Sequence, residues 1–306
     1  MTKPFTAVDL FAGAGGWTTG ATQAGAQVLM AINHWPRAVA THALNHPGTT
    51  HACQDLSLFD HSRLPEHDLL IASPSCVGHT RARGKERRHH DATRATAWCV
   101  VDAVEAKRPA QLVVENVPDF REWELYGVWR MALAALGYSL EEHVLNAAEW
   151  GVPQERVRLI ITGRRGARAV QLRTPNVAGA SAESIIDWGA GEWGSTEGRA
   201  KRTTDVIADG RSRGWSRFLV PYFSQGSGLR ARSVERPIGT LTTKDRYGIV
   251  DGNRYRMLSI VEAQRAMSFP DGYLLTGTGV ERKAMLGNAV PPELARRVIE
   301  QLREAA

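Results

Sequence analysis

The residues best suited to chemistry are a thiol, a carboxylate and a pair of guanidiniums, each where an apolar run ends or begins. Cys76 closes Ser73-Pro74-Ser75-Cys76, directly after the apolar run Asp68–Ala72. A buried, inert thiol is the usual fate of a cysteine. Cys99, inside an expected helix, and Cys53, after an expected strand, fit that description. Cys76 differs because it stands at the carboxyl end of a strand, where α/β proteins bind ligands. The stretch from His79 to His90 behind it holds Arg81, Arg83, Lys85, Arg87 and Arg88. Positive charge of that kind lowers a thiol pKa and yields a nucleophilic thiolate. The same stretch also suits a plain solvated loop.

Glu115 ends the apolar run Gln111–Glu115 and is followed by Asn116 and Val117. A carboxylate closing a buried strand is costly unless it has a partner or a task. Gln154-Glu155-Arg156-Val157-Arg158 leads into another apolar run. Arg156 and Arg158 are expected to meet different surroundings, one entering a site and one packing structurally.

A third constellation suits a ligand with negative or polar groups. Asp9-Leu10-Phe11-Ala12-Gly13-Ala14-Gly15-Gly16-Trp17 lies where a first strand turns into a helix. Glycines there let backbone approach a ligand, and the helix start favours its negative groups; a plain tight turn reads the same. The dinucleotide fingerprint is unmet, since Thr18 stands at its third glycine. After the second strand, where a ribose-binding acid is expected in such enzymes, the chain has Asn33, then His34 and Trp35, an aromatic able to stack on adenine. Asp55 either caps a turn or accepts a bond from an adenine amino group.

These residues need a scaffold of strands and helices in alternation. Expected strands are Ala7–Phe11, Gln27–Ile32, Asp68–Ala72, Gln111–Glu115 and Val157–Thr162, with helices near Trp17–Gly25, Trp35–Asn45, Ala92–Arg108 and Leu125–Leu136. The third helix stops before Pro109 and the fourth at Gly137. The alternation predicts an α/β fold, a parallel sheet with helices on both faces. From about 166 to 233 the pattern breaks down into Gly, Ser, Thr and Arg, with Trp188, Trp193 and Trp215 and the apolar stretch Phe218–Phe223. That reads as a small irregular domain or a loop-rich insertion. A last helix follows from about Pro291, with Leu294, Val298 and Leu302 on one side.

The 306 residues carry a net charge of +6, and arginine supplies 32 of the 38 basic residues. Residues 164–236 hold 13 basic and 7 acidic side chains, so the whole surplus lies there and the rest sums to zero. Arginine's planar fork suits phosphates and guanine edges. Three cysteines are too few for a disulfide scaffold, and Asp9 interrupts the first apolar stretch before a signal-peptide core forms. Together with the lack of a run of roughly 18 apolar residues, this predicts a cytoplasmic protein with no membrane segment.

Taken in order, the motifs resemble those of the DNA cytosine-5 methyltransferases of bacterial and phage type. Asp9–Gly16 is similar to the family's S-adenosyl-L-methionine (AdoMet) loop, Cys76 to its nucleophile and Glu115-Asn116-Val117 to its glutamate motif. Gln154-x-Arg156-x-Arg158 is similar to its arginine motif. Arg236-Pro237 through Thr240-Leu241-Thr242-Thr243 resembles the block after recognition, and Gly287-Asn288-Ala289-Val290-Pro291-Pro292 the last motif. The resemblance implies a Rossmann-like methyltransferase sheet, formed by residues 1–165 with 246–306, and a small irregular target-recognition domain at 166–245. It implies Cys76, Glu115, Arg156 and Arg158 as catalytic residues. It places Asp9, Phe11, Gly13, Gly15, Gly16, Trp17, Asn33, His34, Asp55, Asn288 and Ala289 around AdoMet, and Arg81, Arg83, Arg87, Arg236 and Thr242 on double-stranded DNA. No metal is implied. The stretch 79–90 matches the loop that closes over a flipped base. The natural setting is a monomer, nucleoid-associated through its DNA, with a cognate restriction endonuclease.

Three positions depart from the pattern. Ser75 and Val77 replace the usual Pro and Gln around the cysteine, Asn33 replaces a glutamate on the ribose, and the recognition segment is short. The departures leave open an inactive DNA-binding protein on a methyltransferase scaffold, RNA as substrate, or a modified AdoMet. A nicotinamide oxidoreductase is disfavoured by the missing ribose acid.

Overall fold

A computed structural model describes residues 4–75, 95–222, 230–244 and 247–306. Its main sheet runs β3-β2-β1-β4-β5-β8-β6, with β1 (Thr6–Leu10), β2 (Gln27–Asn33), β3 (Thr50–Cys53), β4 (Leu69–Ala72), β5 (Gln111–Asn116), β6 (Tyr138–Asn146) and β8 (Val157–Arg165). The first five are parallel, as the alternation predicts. β8 is antiparallel to both β5 and β6, so the expected all-parallel sheet is corrected at that end. Strands buried on both faces read as continuous apolar runs whichever way they point, so their direction is not in the pattern.

Helices cover both faces. On one, α3 (Trp98–Lys107) and α4 (Tyr126–Ala135) bury Val100, Val104, Trp129 and Leu133 against Leu112 and Val114. Arg108 takes a left-handed conformation after α3, which ends the helix before Pro109. Residues 92–94 of the expected third helix lie outside the described residues. On the other face α1 (Gly16–Gln23) packs with α8 (Pro292–Glu304), the chain's last helix, whose Leu294, Val298 and Leu302 are fully buried as their spacing predicts. α2 (Pro36–Asn45) follows β2, with proline at its first turn.

Within the segment expected to be irregular, the described residues hold a small sheet and a helix. Strands β9 (Gly194–Ser195), β10 (Arg217–Pro221), β11 (Arg232–Ser233), β13 (Tyr247–Asp251) and β14 (Arg254–Met257) form an antiparallel sheet in the order β11-β10-β13-β14-β9. A helix, α5 (Lys201–Ser212), covers one face through Val206, Ile207 and the ring of Phe218. This sheet runs on past residue 245 to Met257, and β7 (Gln154–Glu155) pairs in parallel with β12 (Ile238–Gly239) beside it. Its other face, with Leu219 and Ile249, packs on Ala266, Met267 and Phe269 beside α6 (Ile260–Ala266), and on Leu286 of α7 (Gly279–Asn288). Among the described residues no helix is long and apolar enough to cross a membrane.

Candidate active site

The parallel pairing of β4 with β5 sets Ala72 beside Val114, so the chain leaving β4 runs alongside Glu115 and Asn116. Three hydrogen bonds hold that departing chain. The Trp17 indole N–H donates to Ser73 Oγ at 3.0 Å, Asn116 Nδ2 donates to the Pro74 carbonyl at 3.1 Å, and the Ser75 N–H donates to Thr96 Oγ1 at 3.1 Å. Cys76 is the next residue. It lies outside the described residues, as do Arg81, Arg83 and Arg87.

Glu115 is buried and faces Arg158, whose Nε lies 3.0 Å from its Oε1. The register explains the pair. Glu115 sits opposite Ile160, and Arg158, two residues earlier on β8, shares that face as a diagonal neighbour. Arg156, grouped with the catalytic residues from the sequence, is elsewhere. Its guanidinium donates to the carbonyls of Leu241, Gly287 and Ala289 at 3.1, 2.8 and 3.0 Å, and it is only 2% exposed. It tucks inward before β8 begins and ties the Thr-Leu-Thr-Thr block to the last motif. Gln154 does similar work: its Oε1 accepts from the Leu241 N–H and its amide donates to Ala266 O. One of the two arginines enters the site and the other builds the walls.

The glycine-rich turn lies at the carboxyl end of β1, next to the ends of β2 and β3. Phe11, Gly13 and Gly15 all have positive φ, 60°, 55° and 90°. At Gly15 the need for glycine is steric as well, since a Cβ would sit 2.6 Å from the Tyr273 hydroxyl. Tyr273 donates that hydroxyl to the Ala14 carbonyl and so fixes the turn from the far end of the chain. A Cβ on Gly16 would collide with the Val290 carbonyl, which makes Gly16 a packing position under the last motif. Trp17 is 3% exposed in the core and reaches Ser73, so it links the turn to the strand end.

Asn33 Oδ1 accepts the Trp35 N–H at 2.9 Å, and its neighbour His34 is exposed. Asp55 Oδ1 accepts from the Ser57 N–H and hydroxyl, so the capping reading holds for one oxygen, and these bonds lower its pKa. Trp35 packs toward Ala14, Ala38 and Met285. Asn288 is exposed at the end of α7, while Ala289 is buried with its carbonyl on Arg156.

Asp9 is fully buried, and burial pushes its carboxyl up to about 7 against the pull of Thr18, whose hydroxyl donates to Oδ2 at 2.7 Å. Oδ1 is buried with no hydrogen-bond partner among the described residues. Behind Thr18 stands a histidine cluster that sequence reasoning missed. His42 Nε2 lies 3.0 Å from Thr18 Oγ1, and His42 Nδ1 shares a hydrogen bond with His51 Nε2 at 2.8 Å. Burial, reinforced by His46 and His51, drives His42 down to about 2, and burial drives His46 to about 4. The cluster joins α2 to β3, and nothing in the one-dimensional pattern pairs those positions.

On the small sheet Trp188 and Trp193 stack 6.3 Å apart between guanidiniums, with Arg217 over the first and Arg254 and Arg256 over the second. Arg256 also forms a bidentate, buried pair with Glu262 at 2.6 and 2.7 Å, tying this sheet to α6. Arg236 is exposed, and the main chain of Thr242 packs on Gly287.

A family model described as C-5 cytosine-specific DNA methylase matches residues 5–304. The chain is 27% identical to the type II methyltransferase M1.HphI of Haemophilus parahaemolyticus over 96% of its own length and 86% of that protein's. It is also 27% identical to the type II methyltransferase M.NlaX of Neisseria lactamica, over 98% and 97%. Among solved structures, a prophage-encoded DNA modification methyltransferase from E. coli superposes with a TM-score of 0.72 at 18% identity, covering 98% of this chain and 99% of that one. The Dnmt2 methyltransferase of S. pombe gives 0.70 at 17%, covering 99% of both. At such identities the structural likeness speaks for the fold alone. The family match, which spans nearly every residue, decides the assignment: this chain belongs to the C-5 cytosine-specific DNA methylase family.

Proposed function

We propose that the protein methylates carbon 5 of a cytosine flipped out of duplex DNA, with AdoMet as methyl donor and Cys76 as covalent nucleophile. The observation that carries the reading is the Glu115–Arg158 pair beside the strand end that leads into Cys76. Carbon 5 of cytosine is a weak nucleophile. Attack of the Cys76 thiolate on carbon 6 saturates that position and pushes electron density to carbon 5. Glu115 holds the N3 and amino edge, and protonation at N3 takes up the charge that the sulfur brings. Arg158 donates to the ring carbonyl oxygen and holds Glu115 in place. AdoMet, when bound, supplies an electrophilic methyl group. Loss of the carbon-5 proton then expels the Cys76 thiolate and restores the ring. Reaching the base costs a few kcal/mol of unstacking.

The crevice suits AdoMet. A Cβ at Gly13 would meet nothing nearer than 3.9 Å, so backbone is open to close approach there. Asp55 keeps one oxygen for an adenine amino group, Asn33 offers its amide to the ribose, and Asp9 brings a buried carboxyl oxygen in want of a donor. The relatives are named type II methyltransferases, which suits a protein working beside a cognate restriction endonuclease.

Duplex DNA carrying 5-fluorocytosine tests the function. Fluorine cannot leave as a proton does, so the wild-type chain with AdoMet becomes covalently trapped and Cys76→Ala does not. Intact AdoMet binding without an adduct on any duplex overturns the reading in favour of an inactive scaffold.

A further inference from the structure

The peptide unit between Pro74 and Ser75 is held at both of its polar ends. Its carbonyl accepts from Asn116 Nδ2 at 3.1 Å, and its N–H donates to Thr96 Oγ1 at 3.1 Å. A peptide unit is planar, so two bonds on opposite edges fix the orientation of the whole plane. Cys76 is the next residue in the chain after this clamped unit. The proline of this chain is at 74, so its ring restrains the residue before the clamped unit and leaves Ser75 with an ordinary φ. Thr96 is itself well anchored. The next residue, Ala97, is buried and accepts the indole N–H of fully buried Trp129 at 2.9 Å, at the start of α3.

We propose that Thr96 is a positioning residue for the nucleophile: its hydroxyl, by accepting the Ser75 N–H, orients the main chain that presents Cys76. This inference rests on the proposed function, since it needs Cys76 to be the attacking group. It also accounts for the departure at position 75. The family pattern has proline there, and proline has no N–H to donate. In this chain a hydrogen bond from Ser75 supplies the restraint that a ring supplies elsewhere, and Thr96 is what makes it possible.

The test is the single-turnover rate of covalent adduct formation on 5-fluorocytosine duplex, with AdoMet and DNA affinities measured beside it. Thr96→Val, which keeps the shape and removes the acceptor, slows the adduct by about tenfold, within the range that small misplacements cost, while both affinities stay unchanged. Thr96→Ser restores the acceptor and the rate. In a Ser75→Pro background there is no N–H to lose, so adding Thr96→Val changes nothing further. A wild-type rate for Thr96→Val overturns the inference, as does an equal slowing in both backgrounds. Absence of any adduct with the wild-type chain overturns the proposed function, and this inference with it. An adduct that forms normally and ignores Thr96 overturns the inference alone.

Discussion

Arg158 Nε lies 3.0 Å from Glu115 Oε1, and the two side chains keep only 14% and 10% of their surface exposed. At that burial neither charge is screened well by water, so each holds the other in position. Arg158→Lys keeps the charge and loses the planar fork. Steady-state kinetics is expected to show kcat lower by about a hundredfold or more, as for loss of an oriented donor in an active site, with the KM for AdoMet unchanged. Glu115→Gln is expected to lose about 10²–10⁴-fold. A kcat within twofold of wild type for either variant means the pair does not act on the base.

Arg156 predicts the opposite pattern. Three main-chain carbonyls depend on its guanidinium. Hydrogen bonds to a charged group contribute about 1.5–3 kcal/mol each, so Arg156→Met is expected to cost at least about 4.5 kcal/mol. Calorimetry reads this as a Tm lower by roughly 9–18 °C or more, from about 2–4 °C per kcal/mol for domains of about 150–250 residues. Arg158→Lys, which keeps a cation beside Glu115, leaves the Tm much nearer wild type. Equal losses in the two variants refute the division of labour.

That division shows what sequence alone could reveal. The motif predicts two arginines at i and i+2, which an extended strand puts on one face; that Arg156 turns away depends on carbonyls 85 to 133 residues away. The main strands were legible because β1, β2, β4, β5 and β8 bury apolar runs. β6 was not, because an edge strand reading Tyr-Ser-Leu-Glu-Glu-His-Val-Leu-Asn carries polar residues on both faces. α5 hid for a related reason. Its buried positions are Thr203, Val206, Ile207 and Gly210, a helical spacing in which threonine and glycine stand for apolar residues. Tyr273 meeting Ala14, and Thr96 meeting Ser75, leave no local signature at all.

The buried acid and histidines behind the glycine turn predict opposing pH effects on stability. His42 and His46 have folded pKa values near 2 and 4, below the ordinary 6.5. Their stabilising contribution is therefore full above about 6.5 and is lost as pH falls through that window. Asp9 is raised from 3.8 to about 7, so its contribution is full at low pH and lost as pH rises through about 7. Denaturant unfolding between about pH 7.5 and about pH 5 is expected to show His42→Asn losing less stability on acidification than wild type. Asp9→Asn is expected to lose more. Parallel curves for all three proteins count against the buried, neutral histidines.

The Oδ1 of Asn33 is taken up by the Trp35 N–H, so only its neutral amide nitrogen remains for a ligand. A glutamate there has a second oxygen and a full charge with which to accept ribose hydroxyls, and charge-assisted bonds are about twice as strong as neutral ones. Asn33→Glu is expected to tighten AdoMet binding by about tenfold, a difference of ~1.4 kcal/mol. Calorimetric titration checks it, and an unchanged affinity places the ribose elsewhere.

The surplus of +6 in residues 164–236 already discounts the acids inside the segment, and Asp251 and Glu155 outside it take up part of what remains. Lys201 pairs with Asp205, Arg213 with Asp209, and Arg217 with Glu183 and Asp251. Arg232 pairs with Glu155, outside the segment. Several arginine planes are also covered by tryptophan or tyrosine rings. Net charge therefore overstates the cations ready for phosphate. Arg236 is exposed, makes no ion pair with a described residue, and enters the block that Arg156 fastens to the last motif. A phosphate contact there releases counterions, so Arg236→Ala is expected to weaken binding to all duplexes alike and to reduce the salt slope by about one. Lys201→Ala, which removes a cation already neutralised by Asp205, is expected to leave the slope nearly unchanged. Binding isotherms across a salt series distinguish the two, and a slope that moves for Lys201 and not for Arg236 puts the DNA on the other side of the small sheet.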